Sequence, residues 1–325
     1  MTVLITGAGL IATHAAAALA AQREKIVFYD LAPNKSYINL VMEGKPYSTE
    51  IGDILDLPNI LRVIKQHDVK GIIHTAAILP ERARANPSIC TRVNVDGSVN
   101  IFESHRLAKL KRTVFISTIG IFDSSVRDGR PWTENHRWGP ESFYGSTKLA
   151  AEMMGMHYAR DYGVDLIAVR FSSVYGISQY YTSRASEFMR DAIEPMALAG
   201  KATIRRQVTD INQYLYAMDA GEAVALAYKL KRNPPQRVFN ISDGKLIGVR
   251  EVMKIAEKNI PGAAINFTDG AWKKTKGTKF VPEPFNLSAA RKYLGYKPTW
   301  PMGKAIRHYA EKVKERAALK EYLTK

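Results

Sequence analysis

The segment TVLITGAGLIATHAAAALAAQREKIVFYD occupies residues 2–30 and joins two apolar runs through a glycine turn and an alanine-rich stretch. This pattern predicts a strand at residues 3–5, a helix at residues 10–22 and a second strand at residues 25–29. Strands that are apolar on both faces and are joined by a helix typically lie parallel in one buried sheet. The segment therefore predicts the first β-α-β unit of an α/β fold.

The alternation of short apolar runs with longer helical stretches continues through the first half of the chain. This order predicts a doubly wound parallel sheet of the Rossmann type. The further predicted strands are residues 71–74, 113–117 and 166–170. The further predicted helices are residues 57–66, 88–108 and 143–162.

Gly7 and Gly9 stand in the turn between the first strand and the first helix. Because they carry no side chains, backbone N–H groups and the helix start at Leu10 and Ile11 can approach a pyrophosphate closely. Ala12 is small enough for the helix to pack against the strand. The turn favours dinucleotide binding, although a glycine-rich turn alone is a weak signal.

Asp30 ends the second strand, about 20 residues after the turn. A carboxylate at this place accepts hydrogen bonds from the adenosine ribose hydroxyls and repels a 2′-phosphate. Residues 31–33 offer no cation, so Asp30 predicts NAD rather than NADP as the cofactor. Asp53 and Ile54 follow a segment between residues 30 and 53 that we assign to a further strand of the sheet. They resemble an adenine-binding corner, although such a pair is also a common turn.

Tyr144 and Lys148 are four residues apart at the start of a predicted helix, so their side chains share one face. A phenol has a pKa near 10 and is a poor base at neutral pH, but a nearby ammonium lowers that pKa and so favours the phenolate. Thr118 ends a predicted strand, and such strand ends line the ligand crevice of a doubly wound sheet. We expect the three side chains to converge, although the spacing also arises by chance and Thr118 alone is consistent with a turn cap. Glu152, one turn beyond Lys148, is predicted to stabilise the helix.

In their order along the chain, these motifs resemble the extended short-chain dehydrogenase/reductase family. Its members include sugar-nucleotide epimerases and dehydratases and some dehydrogenases. The resemblance covers nearly the whole chain and depends on the conjunction of motifs rather than on any single one. The other matching segments are residues 74–77 (HTAA), 94–97 (NVDG), 117–118 (ST), 133–134 (TE), 170–176 (RFSSVYG) and 294–298 (LGYKP).

The resemblance implies a role for each matching position. Tyr144 is expected to be the acid/base, Lys148 its electrostatic partner and ribose ligand, and Thr118 the ligand of the substrate oxygen. Asn94 is expected to organise the site within the cofactor-binding region. The helices that carry Asn94 and Tyr144 often form the dimer interface in this family, which implies a homodimer. The remaining implied cofactor contacts are Ala76, Ala77, Phe171, Ser173 and Val174.

Three departures from the family pattern concern the turn and the substrate. The glycine turn is one residue shorter than the usual Gly-x-x-Gly-x-x-Gly of the family. Ile119 and Gly120 follow Thr118, where dehydratases of the family carry Asp-Glu, so we do not expect a dehydratase. Asn212 stands where nucleotide-sugar enzymes usually carry an arginine that binds the diphosphate.

The missing arginine leaves the identity of the substrate open. Arg205 and Arg206 lie nearby in the sequence and are able to take its place. A smaller hydroxy compound that carries a carboxylate or a phosphate is an equally good hypothesis. Arg82, Arg84 and Arg92 are then candidates to bind the anion, with solvent-exposed arginines as the alternative.

The alternating pattern gives way to irregular segments rich in tyrosine and arginine after residue 176. We therefore predict a dinucleotide-binding domain at residues 1–176, to which residues 213–242 return as a strand-helix-strand segment. A smaller substrate-binding lobe is predicted at residues 177–212 and 243–325.

The chain carries 47 Lys and Arg against 31 Asp and Glu, a formal net charge of +16. This charge favours anionic ligands, but the basic residues are scattered apart from residues 273–279, so nucleic acid is not the expected partner. The single cysteine, Cys90, excludes an intrachain disulfide and favours a cytoplasmic location. No apolar stretch is long enough to span a membrane, and no metal-ligand spacing is present.

The leading hypothesis is an NAD-dependent oxidoreductase that transfers hydride between nicotinamide and a secondary alcohol or ketone. Its expected substrate is a small sugar-derived molecule or a hydroxy acid. The alternative is an NAD-dependent (nucleotide-)sugar epimerase, which uses the same chemistry reversibly. A non-catalytic NAD- or RNA-binding protein on the same fold is the third hypothesis, supported by the net charge of +16.

Overall fold

A computed structural model of the protein describes residues 1–126, 128–178, 184–204, 211–231, 234–268 and 283–323. Its strands are β1 (Thr2–Thr6), β2 (Lys25–Asp30), β3 (Ser48–Ile51), β4 (Val69–His74), β5 (Arg112–Thr118), β6 (Leu166–Phe171), β7 (Ser173–Tyr175), β8 (Lys201–Ile204), β9 (Ile211–Asn212), β10 (Tyr214–Tyr216), β11 (Val238–Ile241), β12 (Ile247–Gly248) and β13 (Ala264–Phe267). Its α-helices are α1 (Leu10–Ala21), α2 (Lys35–Met42), α3 (Leu57–Gln66), α4 (Pro80–Ala85), α5 (Pro87–Thr91), α6 (Gly97–Ala108), α7 (Phe143–Tyr162), α8 (Arg184–Ala199), α9 (Ala217–Lys229), α10 (Val249–Asn259) and α11 (Met302–Leu323).

A seven-stranded sheet in the order β11-β6-β5-β4-β1-β2-β3 forms the centre of the described structure. Every neighbouring pair of its strands is parallel. The order reverses between β1 and β4, because the chain runs from β1 outward to β3 and then returns to β4. This arrangement confirms the predicted doubly wound sheet, and a ligand crevice is expected at the reversal.

Helices cover both faces of this sheet and bury it. On one face, the alanines of α1 and α9 pack closely against the apolar strand residues. On the other face, α3, α6 and α7 contribute residues such as Val63, Phe102 and Ala151. Strand residues such as Leu4, Ile5 and Ile73 are fully buried, which explains their continuous apolar runs in the sequence. None of the described helices is long and apolar enough to cross a membrane.

The structure differs from the predicted elements at two places in the first half. The predicted helix at residues 88–108 is interrupted, since α5 passes into a π-helical turn at Arg92–Asp96 before α6 begins. Such turns often occur at functional sites, and this one carries Asn94. Helix α2 was not predicted, because it is short and its apolar residues are spread over residues 37–42.

The segments after residue 176 form a second core beside the main sheet. Helices α8, α10 and α11 pack together with residues of α2 in this core. Small sheets pair β8 with β13 and β9 with β12. In the segment 213–242, β11 pairs with β6 in the main sheet, whereas β10 pairs with β7 in a separate two-stranded sheet.

Glu152 and Arg170 form a buried ion pair between α7 and β6. The Arg170 Nε donates to both Glu152 carboxylate oxygens, at 3.1 and 3.2 Å, and both side chains are almost fully buried. Arg170 also donates to the carbonyl oxygen of Glu134 at 2.7 Å and lies over the ring of Phe122. Glu152 therefore fixes α7 to the sheet through Arg170, rather than stabilising the helix through Lys148 as the spacing suggested.

Glu152→Ala should lower the free energy of unfolding by about 3–5 kcal/mol, because it leaves the Arg170 cation buried without its partner. Urea denaturation measures this change. The matched control is Glu103→Ala, which breaks the partly exposed pair with Arg106 on α6 and should cost about 0–1 kcal/mol. A loss below 1 kcal/mol in Glu152→Ala would show that the buried pair does not stabilise the fold.

Candidate active site

A cavity of about 320 Å³ opens at the carboxyl ends of β1, β4, β5 and β6, where the strand order reverses. It is lined by residues from the glycine turn, from the loop after β4, from the ends of β5 and β6, and from α7. The predicted site residues that line it are Gly9, Leu10, Ile11, Ala77, Thr118, Tyr144, Lys148, Phe171, Ser173 and Val174. The structure therefore brings the turn, the Tyr–Lys pair and Thr118 together.

The glycine turn presents open backbone to this cavity. Gly7 has a φ of +80°, and a Cβ there would approach Thr75 Oγ1 to 3.0 Å. A Cβ on Gly9 would meet no atom within 4 Å, so the missing side chain leaves free space in front of α1. No side chain caps the first turn of α1, whose first amides point out of the helix. Uncapped amides beside free space fit a pyrophosphate, so the turn is suited to a dinucleotide.

Asp30 closes the turn from the neighbouring strand. One oxygen of its carboxylate accepts from the Ala8 N–H at 2.7 Å, and the other accepts from the Ala32 N–H at 2.8 Å. Each oxygen has a second lone pair, so the carboxylate is still able to accept hydrogen bonds from ribose hydroxyls. Asp30 lies beside the turn but not in the wall of the cavity.

Asp53 and Ile54 lie farther along the same edge of the sheet. The Asp53 carboxylate accepts from the Leu55 N–H at 2.9 Å, and its carbonyl accepts from the Tyr29 hydroxyl at 2.9 Å. Ile54 is buried and packs against Gly97 at the start of α6. Neither residue lines the cavity, so within the described structure Ile54 is a core residue and Asp53 shapes a turn.

Tyr144 is placed in the cavity by the start of α7. Ser142 caps this helix by accepting from the Gly145 N–H at 3.0 Å. Burial raises the pKa of the Tyr144 phenol above its ordinary value of 10. Across the cavity, Thr118 accepts from the Gly120 N–H at 3.1 Å, which fixes the orientation of its hydroxyl oxygen. Thr118 is thus both a turn cap and a cavity residue.

Lys148 lies one turn behind Tyr144 and is 2% exposed. Its Nζ lies 4.0 Å from the ring centroid of Phe115 and has no hydrogen bond or ion pair among the described residues. Burial lowers the pKa of Lys148 to about 7, and the Glu152 carboxylate opposes this shift. The amine therefore titrates near neutral pH and has unused donors at the cavity.

Asn94 and Ala76 support the cavity from behind rather than lining it. The Asn94 amide accepts from the Ile78 N–H at 2.7 Å and donates to the Ile78 carbonyl at 3.0 Å. It also donates to Thr147 Oγ1 at 3.0 Å. Asn94 thus ties the loop after β4 to α7. The backbone of Ala76 lies against Gly7, where a Cβ would come within 3.1 Å.

The arginines considered for an anionic substrate are not brought to the cavity. Arg82, Arg84 and Arg92 are exposed on α4 and on the π-helical turn, and none lines the cavity. Asn212 accepts from the Ser173 hydroxyl at 3.1 Å, so its side chain lies beside a cavity residue. Arg205, Arg206 and the basic run at residues 273–279 lie outside the described residues.

Two buried hydroxyls that the sequence analysis missed belong to the cavity residues Ser117 and Ser172. Both hydroxyl oxygens are buried and have no hydrogen-bond partner in the described part of the chain. Ser117 is the last residue but one of β5, and Ser172 directly follows β6, so both lie at the ligand edge of the sheet. This position at the end of a buried strand was the signal available in the sequence. Further cavity hydroxyls belong to Thr75, Ser178 and Ser186.

Comparisons with known proteins agree with this geometry. Residues 3–242 match the model of the NAD-dependent epimerase/dehydratase family. The chain is 27% identical to UDP-glucuronate 4-epimerase 4 of Arabidopsis thaliana, across 95% of this chain and 74% of that protein. It is also 27% identical to UDP-glucose 4-epimerase of Lacticaseibacillus casei, across 92% of each chain.

Solved structures show the same fold. A UDP-glucose 4-epimerase from Thermus thermophilus in complex with NAD has a TM-score of 0.82 at 23% identity, covering 97% of this chain and 99% of that one. An epimerase from Stenotrophomonas maltophila with bound NAD and formylated UDP-arabinopyranose has a TM-score of 0.85 at 21% identity, covering 98% and 99%. With the family model matching most of its length, the chain belongs to the NAD-dependent epimerase/dehydratase family, and is thus an NAD-dependent enzyme of the extended short-chain dehydrogenase/reductase type.

Proposed function

We propose that the protein oxidises a secondary hydroxyl group of a small molecule, with Tyr144 as the acid/base. The observation that carries this proposal is that Tyr144, Lys148 and Thr118 line one cavity with the start of α1. NAD, when bound, supplies the hydride acceptor. The residues proposed to hold it are Gly7, Gly9, Leu10, Ile11, Asp30, Ala77, Phe171, Ser173 and Val174, with Ala76, Asn94, Asp53 and Ile54 supporting them from outside the cavity.

Each of the three central residues has a distinct proposed task. Tyr144 accepts the proton of the substrate hydroxyl. Lys148 favours the phenolate whenever its amine is protonated, because an ammonium one helical turn away stabilises the negative oxygen. It also has free donors for a ribose hydroxyl. Thr118 holds the substrate oxygen. Its hydroxyl oxygen accepts a hydrogen bond from the Gly120 N–H, so its own hydroxyl proton is still available to donate.

The substrate is proposed to lie between this cavity and the predicted substrate-binding lobe at residues 177–212 and 243–325. Ser117, Ser172 and Ser186 give the cavity several hydroxyls, which suit a polyhydroxy compound. Among the described residues that line the cavity, Lys148 carries the cationic side chain, and it is already assigned to the phenolate and the ribose. An anionic group of the substrate would therefore bind outside the described wall of the cavity, where Arg82 and Arg84 remain candidates.

Epimerisation is the second candidate function, and the named relatives favour it. An epimerase oxidises the substrate and then reduces it from the opposite face, with the same acid/base. A panel of alcohols, sugar acids and nucleotide sugars separates the two functions. Net oxidation accumulates NADH absorbance, whereas epimerisation inverts a stereocentre without NADH. Steep salt-dependent affinity for RNA, with no turnover on any member of the panel, would instead support the binding-protein hypothesis.

We also propose that the protein is a homodimer through α5, α6 and α7. These helices expose large apolar residues, and buried contact with a second copy would remove them from water. The residues are Ile89, Leu107, Phe143, Met154 and Tyr162. Light scattering reports the assembly directly. The buried free thiol of Cys90 fits the proposed cytoplasmic location.

Asp30→Asn should narrow the preference for NAD over NADP. The amide oxygen keeps the acceptor beside Ala8, while the charge that repels a 2′-phosphate is removed. Titration of both cofactors measures the ratio of their dissociation constants, and Asp68→Asn, which removes an exposed carboxylate just before β4, serves as the control. A wild-type protein that bound NADP more tightly would contradict the assignment of Asp30.

Tyr144→Phe keeps the ring and the helix and removes the hydroxyl. Turnover should fall by about 10²–10⁴-fold, the usual contribution of positioned proton transfer, while NAD affinity stays nearly unchanged. The matched control is Tyr162→Phe at the other end of α7, where the side chain is 62% exposed and turnover should not change. Near-wild-type turnover of Tyr144→Phe would refute the proposed acid/base.

Lys148→Met should raise the melting temperature of the NAD-free protein and weaken NAD binding. Since the pKa is about 7 in the folded chain and about 10.4 in the unfolded chain, the unfolded chain binds more protons between these values. Wild-type stability therefore rises with pH through this window. The advantage of the variant should be largest below pH 7 and shrink toward pH 10.

Thermal denaturation across this pH range tests the Lys148 prediction. The control is Lys65→Met on the exposed side of α3, which should show no such pH dependence. A Lys148→Met protein that melts below the wild type at pH 6 would show that the buried amine is not a cost to stability.

A further inference from the structure

Five buried polar side chains connect the glycine turn to the start of α7. We call this set the buried network; its members are Thr6, His74, Ser98, Asn94 and Thr147, all between 0% and 5% exposed. Thr6 Oγ1 lies 2.7 Å from His74 Nδ1, and His74 Nε2 lies 3.0 Å from Ser98 Oγ. Ser98 then donates to the Asn94 carbonyl oxygen at 2.6 Å.

The donors of the buried network follow from counting protons. Ser98 has one hydroxyl proton and uses it on the Asn94 carbonyl, so it accepts from the Nε2–H of His74. His74 Nδ1 is then the acceptor of the Thr6 hydroxyl proton. Burial lowers the pKa of His74 well below its ordinary value, and the nearby Lys148 acts in the same direction. His74 is therefore neutral with one fixed tautomer, and each ring nitrogen has a different partner.

His74 occupies the place where the strand order reverses. It ends β4 and is in register with Thr6, the last residue of β1. The Thr6 carbonyl also accepts from Thr75, from the amide at 3.1 Å and from the hydroxyl at 2.7 Å. The Thr6–His74 hydrogen bond thus fixes the two strand ends that flank the crevice, directly before Gly7.

The other end of the buried network reaches the residue proposed as the acid/base. Asn94 donates to Thr147 Oγ1 at 3.0 Å, and Thr147 donates to the Tyr144 carbonyl at 2.8 Å. Ser98 fixes the carbonyl of Asn94, and Asn94 fixes both Ile78 and Thr147. A continuous series of hydrogen bonds therefore leads from the His74 ring to the first turn of α7.

Packing alone does not require a histidine at position 74. Phe102 and Phe115 pack against the His74 ring, so an aromatic apolar side chain suits its surroundings. His105, at the opposite end of α6, shows the plain structural case: its Nδ1 pairs with Thr113 Oγ1 at 2.9 Å, and that pair lies away from the cavity. His74 differs because its two hydrogen bonds lead to two separate parts of the site.

We propose that His74 is a positioning residue that holds the glycine turn through Nδ1 and the first turn of α7 through Nε2. The prediction for turnover rests on the proposed role of Tyr144, whereas the predictions for NAD affinity and for the mobility of α7 do not. The two ends of the ring are therefore expected to affect different properties of the enzyme.

Two amide substitutions separate the two ends of the ring. His74→Gln places a donor near the Nε2 position and keeps the link to Ser98, but it leaves the Thr6 hydroxyl without its acceptor. NAD should bind about tenfold more weakly, with unchanged hydrogen exchange at residues 143–148. His74→Asn places an acceptor near the Nδ1 position and loses Ser98. NAD affinity should stay near the wild type, while exchange at residues 143–148 accelerates and kcat falls about tenfold.

The control is His105→Gln, which removes the buried hydrogen bond to Thr113 far from the cavity. It should lower the melting temperature but change neither NAD affinity nor exchange at residues 143–148. If both His74 variants behave like this control, the proposal is wrong and His74 is a packing residue. If the His74 variants do not fold, Ser98→Ala removes a smaller side chain from the same network. It should reproduce the His74→Asn pattern. Unchanged hydrogen exchange at residues 143–148 in Ser98→Ala would overturn the proposal.

Discussion

Between β1 and β4 the strand order reverses, so helix α1 crosses one face of the sheet while α6 and α7 cross the other. Because the helices on either side of this point lie on opposite faces of the sheet, a crevice results at the carboxyl ends of the two strands. The glycine turn opens into the crevice from β1, and the loop at residues 75–79 enters it from β4. Thr118 approaches from β5 and Tyr144 from α7. The site is thus a consequence of topology before any catalytic side chain is considered.

Positioning charged and polar groups beside this crevice has a cost in stability. Lys148 is buried with no ion pair among the described residues, and the cost of its desolvation appears as a lowered pKa. Glu152 and Arg170 compensate nearby, since each buried charge satisfies the other and Arg170 also holds the loop at Glu134. The helix that carries the reactive pair is therefore fixed to the sheet by one ion pair and to the loop after β4 by Asn94. Rigid attachment is what proton transfer over a short distance requires.

The sequence was most informative where a physical need restricts the residue type. The meeting of the glycine turn and Asp30 was predictable, because the turn follows β1 and Asp30 ends the adjacent parallel strand. The helical repeat likewise places Lys148 one turn behind Tyr144. Contacts between distant segments were not predictable. The spacing of Glu152 suggested a partner within the helix, whereas its partner, Arg170, comes from a strand. The exposure of Arg82 was likewise not predictable from the sequence. It depends on how α4 is oriented, and a helix of six residues is too short for a hydrophobic periodicity to determine that orientation.

The residues proposed for cofactor binding and catalysis follow the family pattern more closely than the residue expected to bind the substrate's diphosphate. The turn is shortened by one residue, yet its open space and uncapped helix still fit a pyrophosphate. The Tyr–Lys–Thr set lines one cavity, which supports the proposed proton and hydride transfer. At the position where the family resemblance implies a diphosphate-binding arginine, in contrast, the chain carries Asn212, whose side chain accepts from Ser173. A neutral amide does not replace the charge-assisted hydrogen bonds of an arginine to a diphosphate. We therefore expect the reaction type to follow the family, whereas recognition of the group beyond the reacting carbon depends on residues other than Asn212.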